Sequence, residues 1–395
     1  MRGQKRWGIA SAAVAAVAAS VWLAAGSVAE PASFAEPRPI EPWPASALHA
    51  KDLRDEALLR ARVWQPGDVA AFDFGSNPPD PSGTLSGSVV SCRFLSDAVG
   101  GTTPKFNCVL PDGEVVKVKY GQTAEVPAEA AATRLLTGLG FGADRIYILP
   151  RLRCHGCPPL PFHISRVFGF VRAEGVPELL GPDGRVAEYE WVAVERRMEG
   201  RPIEVDGKSG WAWFELRPDA QSGGATEAEV DAFRLMASFL VHWDNKADNQ
   251  RLVCADEDGR LDEPCPHPVA IIQDLGASFG PHKVDLDGWR GTSVWADPAA
   301  CRISMRHLPF LGATFPDSVI GEDGRQLLAG LLSAITEQQI AALFSGAQFN
   351  AFEQGRWFGP SADERSWVEA FQDKVRQVVE GGPCAKRSGS ERESQ

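Results

Sequence analysis

The chain carries no surplus of positive charge. Its 40 Lys and Arg face 52 Asp and Glu, a formal net charge of -12, and a protein that grips nucleic-acid backbone needs the opposite footprint, so nucleic acid is excluded as an expected partner. There is no internal repeat, which excludes solenoids and propellers. No stretch beyond residue 29 is long and apolar enough to span a bilayer. No second Cys pair follows Cys154-His155-Gly156-Cys157 at zinc-finger spacing, and no His follows Cys157 as haem attachment requires. Charged residues make up only 23% against 44% hydrophobic. That balance excludes a disordered or coiled-coil chain and leaves a packed globular protein of one large or two smaller domains.

What is present begins with an export signal over residues 1–29. Arg2, Lys5 and Arg6 form a positive start, Gly8 to Ala25 is Ala-rich and apolar, and Ser27-Val28-Ala29 offers small residues for cleavage before Glu30. An uncleaved anchor is the alternative, and the weak hydrophobicity of Ala favours cleavage. Either way the folded part faces outside the cytoplasm: periplasmic or extracellular in a bacterium, in the secretory pathway of a eukaryote. With the signal removed, no membrane span is expected. The Cys count of 8 is even, and an even set in an exported chain reads first as disulfides. Cys254 with Cys265 is the favoured local pair, and Cys154 and Cys157 read as structural disulfide cysteines ahead of a metal site.

Residues 30–46 are Pro-rich, which removes backbone donors and favours an extended linker. An extension over 47–87 holds an amphipathic helix, Leu48 to Val63, and a loop from Phe72 to Gly87 dense in Pro, Gly, Ser and Asp. Residues 88–200 carry mostly strand signals. There Pro111-Asp112-Gly113 separates FNCVL from EVVKVKY as a β-hairpin, and a helix follows in VPAEAAATRLLTGLG, opened by Pro127 and ended by Gly138. DRIYIL and EYEWVAVERR are further strands. Residues 201–380 are mostly helical, from TEAEVDAFRLMASFLVH to SWVEAFQDKVRQVVE, with LVC and VAIIQD flanking a polar loop. Residues 381–395 form a polar, flexible tail, apart from Cys384 if it is bonded.

One polar cluster contributes nothing to a core. His242-Trp243-Asp244-Asn245-Lys246-Ala247-Asp248-Asn249 fits the spacing H-x-D-x-x-x-x-N, in which the Asp orients or deprotonates an acceptor and the Asn turns its amide oxygen to Mg2+. Downstream, a strand delivers Asp274 as a metal carboxylate, with Gly276 behind it. Upstream, the period of two in Val116-Lys117-Val118-Lys119 puts both Lys on one strand face, and Lys119 becomes the candidate phosphate grip. Glu129 on the next helix can pair with it, with Glu125 in reserve. Gly100, Gly101, Thr102 and Thr103 before the hairpin form a turn whose backbone N–H groups can cover phosphates. Each residue alone has a solvated or capping role open to it; the ordered set is what points to phosphoryl transfer.

At these residues the chain resembles the protein-kinase-like superfamily, and within it the atypical branches: HWDNKADNQRL and AIIQDLGASFG are similar to the catalytic and metal segments of type II phosphatidylinositol 4-kinases and of secretory-pathway kinases of the Golgi casein kinase kind. GTTPKFNCVLPDGEVVKVKY is similar to the lipid kinases' glycine-rich hairpin, with Lys117 in place of the usual small residue. The resemblance implies an α+β, two-lobed kinase-like fold with a strand-rich N-lobe and a helical C-lobe. It also implies ATP or another nucleoside triphosphate with Mg2+ or Mn2+, held by Asn249 and Asp274. Lys246 then stands where many kinases aim a Lys at the transferred phosphate, and Glu195 to Gly200 falls at the hinge. Three functions stay open: an exported kinase acting on a protein, lipid or glycan hydroxyl; a kinase-fold module that binds a metal or other ligand without transfer; and a structural envelope protein.

Overall fold

The computed structural model of the protein describes residues 33–40, 42, 50–97, 99–121, 123–170, 185–255, 263–308, 312–349 and 363–386. The expected signal and the end of the tail lie outside them.

Strands β1 (Val90–Leu95), β2 (Lys105–Val109), β3 (Val115–Lys119), β4 (Arg145–His155) and β5 (Val186–Arg196) close into a barrel in the order β1-β2-β3-β5-β4. The contacts are antiparallel except for β1 on β4, which is parallel. The hairpin turns at Gly113, whose φ of 87° costs glycine little. Alternation sends Val116 and Val118 into the barrel with Phe106, Tyr147, Val192 and Val194, and therefore Lys117 and Lys119 outward. The register sets Lys105 opposite Lys119 and Lys117 opposite Glu195. Residues 33–40 lie along the hairpin turn, with the Ala35 N–H donating to the Pro111 carbonyl at 3.2 Å and that of Arg38 to Gly113 at 2.9 Å.

Before the barrel, α1 (Ala50–Leu59) ends short of the expected Val63, because Arg62 bridges to Val269 as an extended residue; the expected start at Leu48 lies outside the described residues. After the hairpin comes α2 (Glu125–Gly138), buried along nearly its whole length, then α3 (Pro161–Phe170). The second half carries α4 (Glu227–Leu240), opened by a capping box between Thr226 and Glu229, and α5 (Leu286–Gly291), α6 (Glu322–Ser333), α7 (Glu337–Gly346) and α8 (Glu364–Glu380). A small sheet combines β6 (Arg201–Pro202), which precedes α4, with β7 (Gln250–Cys254) and β8 (Pro268–Ile272), which follow it. The fold is α+β, and one apolar core runs from α2 and the outer faces of β4 and β5 into α4, α6, α7 and α8. Trp289 belongs to this core: it donates to the Phe239 carbonyl at 2.9 Å and packs among Phe279, Phe344, Trp367 and Phe371.

Disulfides join Cys92–Cys108, Cys154–Cys157, Cys254–Cys265 and Cys301–Cys384, so no described cysteine is free. Such a set fits an exported protein. The tail expected from Gly381 is tied down through Cys384, whose N–H also donates to Glu322 Oε2 at 2.7 Å. Among the described residues no single helix is long and apolar enough to cross a membrane.

Lys374 of α8 is the group in this core that most resists its surroundings. It is fully buried, donates to the Thr292 carbonyl and lies 5.8 Å from the Trp289 ring centre, and burial pushes it down from 10.5 to about 7. A depressed folded pKa means the stability it contributes is present above 10.5 and lost as pH falls through about 7. Lys374→Met is expected to raise stability at neutral pH by about 1–3 kcal/mol. It should also flatten the rise of Tm with pH across the alkaline range, which thermal melts on both proteins would check.

Candidate active site

Helix α4 stops at Val241, which adopts a left-handed φ of 55° while the His242 N–H returns to the Ala237 carbonyl at 3.0 Å. The chain then enters the polar loop. Asn245 is its internal brace: it is fully buried, and its Oδ1 accepts from the N–H groups of Thr314 and Phe315, both at 3.0 Å. Asn249 closes the loop from the other end, its Nδ2 donating to the Asp244 carbonyl at 2.6 Å. That bond commits the amide N–H side and leaves the amide oxygen as the atom able to face a cation. Lys246 Nζ lies 3.3 Å from Asp244 Oδ1.

The hairpin of β7 and β8 brings the second acidic segment beside this loop. Gln250 pairs with Ile272, so the next residue outward, Gln273, donates its N–H to the Asn249 carbonyl at 2.9 Å. Asp274 follows at φ 54°, a region Asp tolerates better than most side chains. From the barrel side comes Lys119, fully buried, with Nζ 2.7 Å from Glu129 Oε1 and 2.6 Å from Asp274 Oδ1. Residues 119, 129 and 274 therefore meet at one ammonium.

The charges set each other. The Lys119 ammonium holds Asp274 far below the usual carboxylate range, against the pull of burial, with Lys105 and Lys117 adding to it. Burial works to lower Lys119, but Asp274 and Glu129 outweigh it and raise Lys119 well above its ordinary value. Burial pushes Glu129 up to about 7, with Lys119 opposing and Glu195 and Asp274 adding to the rise. Lys119 thus keeps its proton, and Glu129 is the softer member of the pair. Beside them Lys117 Nζ binds both Glu195 oxygens, at 2.7 and 2.8 Å. His242 is fully buried with no hydrogen-bond partner on either ring nitrogen among the described residues, and burial pushes it down to about 4, so it is neutral at pH 7.

No protein-family model matches the chain, and no curated protein does. Among solved structures, a Helicobacter pylori proinflammatory kinase, CtkA, is similar at 10% identity, over 78% of this chain and 94% of its own, with a TM-score of 0.34. At that TM-score the likeness carries no weight. The residues decide the reading.

Not every expected residue joins the cluster directly. Thr103 donates to Glu125 Oε2, and Lys283, just past Asp274 in sequence, donates to Glu125 Oε1. So Glu125, the reserve partner for Lys119, instead ties the Gly-Thr turn to the segment after Asp274. Thr102 is exposed and makes no hydrogen bond among the described residues. Gly101, at φ 81°, folds close over Lys105: a Cβ there would sit 3.0 Å from the Lys105 Nζ. Sequence reasoning passed over Lys105 and Lys283, and it placed Glu195 at the hinge without its partner Lys117. For Lys105 the signal existed, because counting outward from Asp112 places it opposite Lys119.

A divalent cation fits what is here. Asn249 and Asp274 offer an amide and a carboxylate oxygen from adjoining ends of one hairpin, the hard donors that Mg2+ and Mn2+ prefer. Two surface clefts, of about 450 and 610 Å³, are lined by neither Lys119, Asp244, Asn249 nor Asp274. The charged cluster is closed by its own ion pairs, and an anion must exchange with the Lys119–Asp274 contact to reach Lys119.

Proposed function

We propose that the protein is an exported, kinase-like phosphotransferase that moves the γ-phosphate of ATP or another nucleoside triphosphate to a hydroxyl of a protein, lipid or glycan. The observation that carries this reading is the fully buried Lys119, within 2.7 Å of Glu129 and 2.6 Å of Asp274. A purely structural ion pair has no use for the second carboxylate, and burying charge without need is costly. In this reading the barrel with α2 is one lobe and the helical half the other. Lys119 grips phosphate, Glu129 holds it extended, and the turn of Gly101, Thr102 and Thr103 covers the phosphates. Asp244 serves the acceptor hydroxyl and Lys246 faces the transferred group. Mg2+ or Mn2+, held by Asn249 and Asp274, neutralises phosphate charge.

The test uses the full chain with its disulfides formed. Labelled phosphate is followed onto the protein or an added acceptor, and nucleotide binding is read as a metal-dependent rise in Tm. Asp244→Ala is expected to lower transfer by roughly 10²–10⁴-fold while keeping the nucleotide shift. Asp274→Ala is expected to lose that shift, which should amount to about 2.7 kcal/mol at a hundredfold excess over Kd. If both variants keep transfer, the assignment fails.

Lys117 favours a second reading. Its ion pair with Glu195 fills the strand face where a small residue would leave room for adenine. A kinase-fold module of the cell envelope that takes a metal or another ligand without transfer would show the Asp274-dependent shift and no labelled product.

A further inference from the structure

Lys105 has no counterpart among the roles assigned so far. The hairpin register sets it directly opposite Lys119, and like charges directly opposed across two strands are destabilising. Lys119 answers two carboxylates and Lys117 answers Glu195. The Lys105 side chain, only 7% exposed, forms no ion pair or hydrogen bond with any described residue, and the Asp274 and Glu129 carboxylates act on it only from beyond contact distance. A buried ammonium without a contacting counter-ion is costly, and an apolar residue at this strand position would pack without that cost. The Gly101 turn closes over its Nζ, where any side chain on residue 101 would crowd the ammonium. A cation with no carboxylate in contact, beside a second cation and under a glycine turn, is an arrangement that an anion completes.

We infer that Lys105 is a second anion grip of the cleft, which together with Lys119 holds a metal-bound polyphosphate chain. This rests on the phosphotransferase reading and deepens it. Lys binds phosphate as a point charge rather than through a fixed fork. Two such charges on opposed strands suit a flexible chain of phosphates better than a single carboxylate or sulfate. The chain can belong to a nucleoside triphosphate or to inorganic tripolyphosphate; the chemistry Lys105 sees is the same.

The experiment is calorimetric titration of the oxidised full chain with Mg·ATP and with Mg·tripolyphosphate, for the wild type, Lys105→Met and Lys105→Arg. Lys105→Met is expected to keep or raise the ligand-free Tm, since it removes a like-charge contact. It should weaken both ligands by about 10–100-fold, while Lys105→Arg stays within several-fold of wild type. Three results overturn the inference: unchanged affinity in Lys105→Met, loss for Mg·ATP but not for tripolyphosphate, or a ligand-free Tm well below wild type in both variants, which would mark a structural lysine. Wild type that binds neither ligand overturns the phosphotransferase reading itself, and Lys105 falls with it. A wild type that binds both while Lys105→Met binds equally well overturns Lys105 alone.

Discussion

Lys119→Met is expected to cost about 3–5 kcal/mol of folding stability, the range for removing one partner of a buried ion pair, and to abolish the proposed phosphate transfer. Met matches the length of Lys, so the loss is one of charge rather than of volume. The two carboxylates left behind differ in their escape. Asp274 keeps 31% of its side chain exposed and can turn to water, whereas Glu129 has 2%. Glu129 must then stay charged in the interior or take up a proton. Burial already pushes it up to about 7, and without Lys119 it rises further. A raised folded pKa means stability is present at low pH and lost as pH climbs through that value. The penalty should therefore be smaller at pH 6 than at pH 8, and Lys119→Met with Glu129→Gln should recover much of it. Urea unfolding of the three proteins at both pH values decides the matter. An unchanged unfolding free energy in Lys119→Met would mean that the ammonium does not hold these carboxylates in solution.

The parts of this site that the sequence displayed are those written in local patterns. A Pro-Asp-Gly turn between two alternating runs gave the hairpin, and period two then placed Lys117 and Lys119 on one face. Pro127 and a run of Ala and Leu gave the helix that carries Glu129. The strand VAIIQ fixed how Asp274 is delivered. Long-range relations were not displayed. Closure of the barrel needs β1 to lie parallel to β4, a pairing that no turn specifies. The partner of Lys117, Glu195, lies across β3 and β5, between which α2, β4 and α3 intervene in sequence. Asn245 and Asn249 look alike on paper, yet the first braces the loop against Thr314 and Phe315, some 70 residues on, and only the second has an amide oxygen left over. The cysteines divide the same way. Cys254 and Cys265 are 11 residues apart and were legible as a local loop, while Cys301 and Cys384 are 83 apart and could be paired only in three dimensions.

That long disulfide carries the second large effect. Replacing Cys301 and Cys384 with Ser is expected to cost about 4 kcal/mol, against about 3 kcal/mol for Cys254 and Cys265, because the chain entropy a cross-link removes from the unfolded state grows with the loop it closes. The longer loop contains α6, α7 and α8, whose aromatic residues Phe344, Trp367 and Phe371 pack with Trp289, and Phe279 joins them at 5.7 Å from the Phe344 ring. Phe279 lies five residues after Asp274, and its N–H donates to the Leu240 carbonyl at 2.9 Å, at the end of the helix that leads into His242. Loosening the loop therefore loosens both acidic segments together. Local bonds will soften the loss without cancelling it: Arg325 still reaches the Val378 and Val379 carbonyls at 3.1 and 2.8 Å. Chemical denaturation of the two double-Ser variants should rank them in the order given. An equal or reversed ranking would assign the stabilisation to local packing around Cys384 instead of to loop length. The same reasoning predicts that a reducing agent lowers both the melting temperature and any phosphate transfer, so an assay run under cytosol-like reducing conditions would measure a loosened Asp274 segment rather than the closed charged cluster.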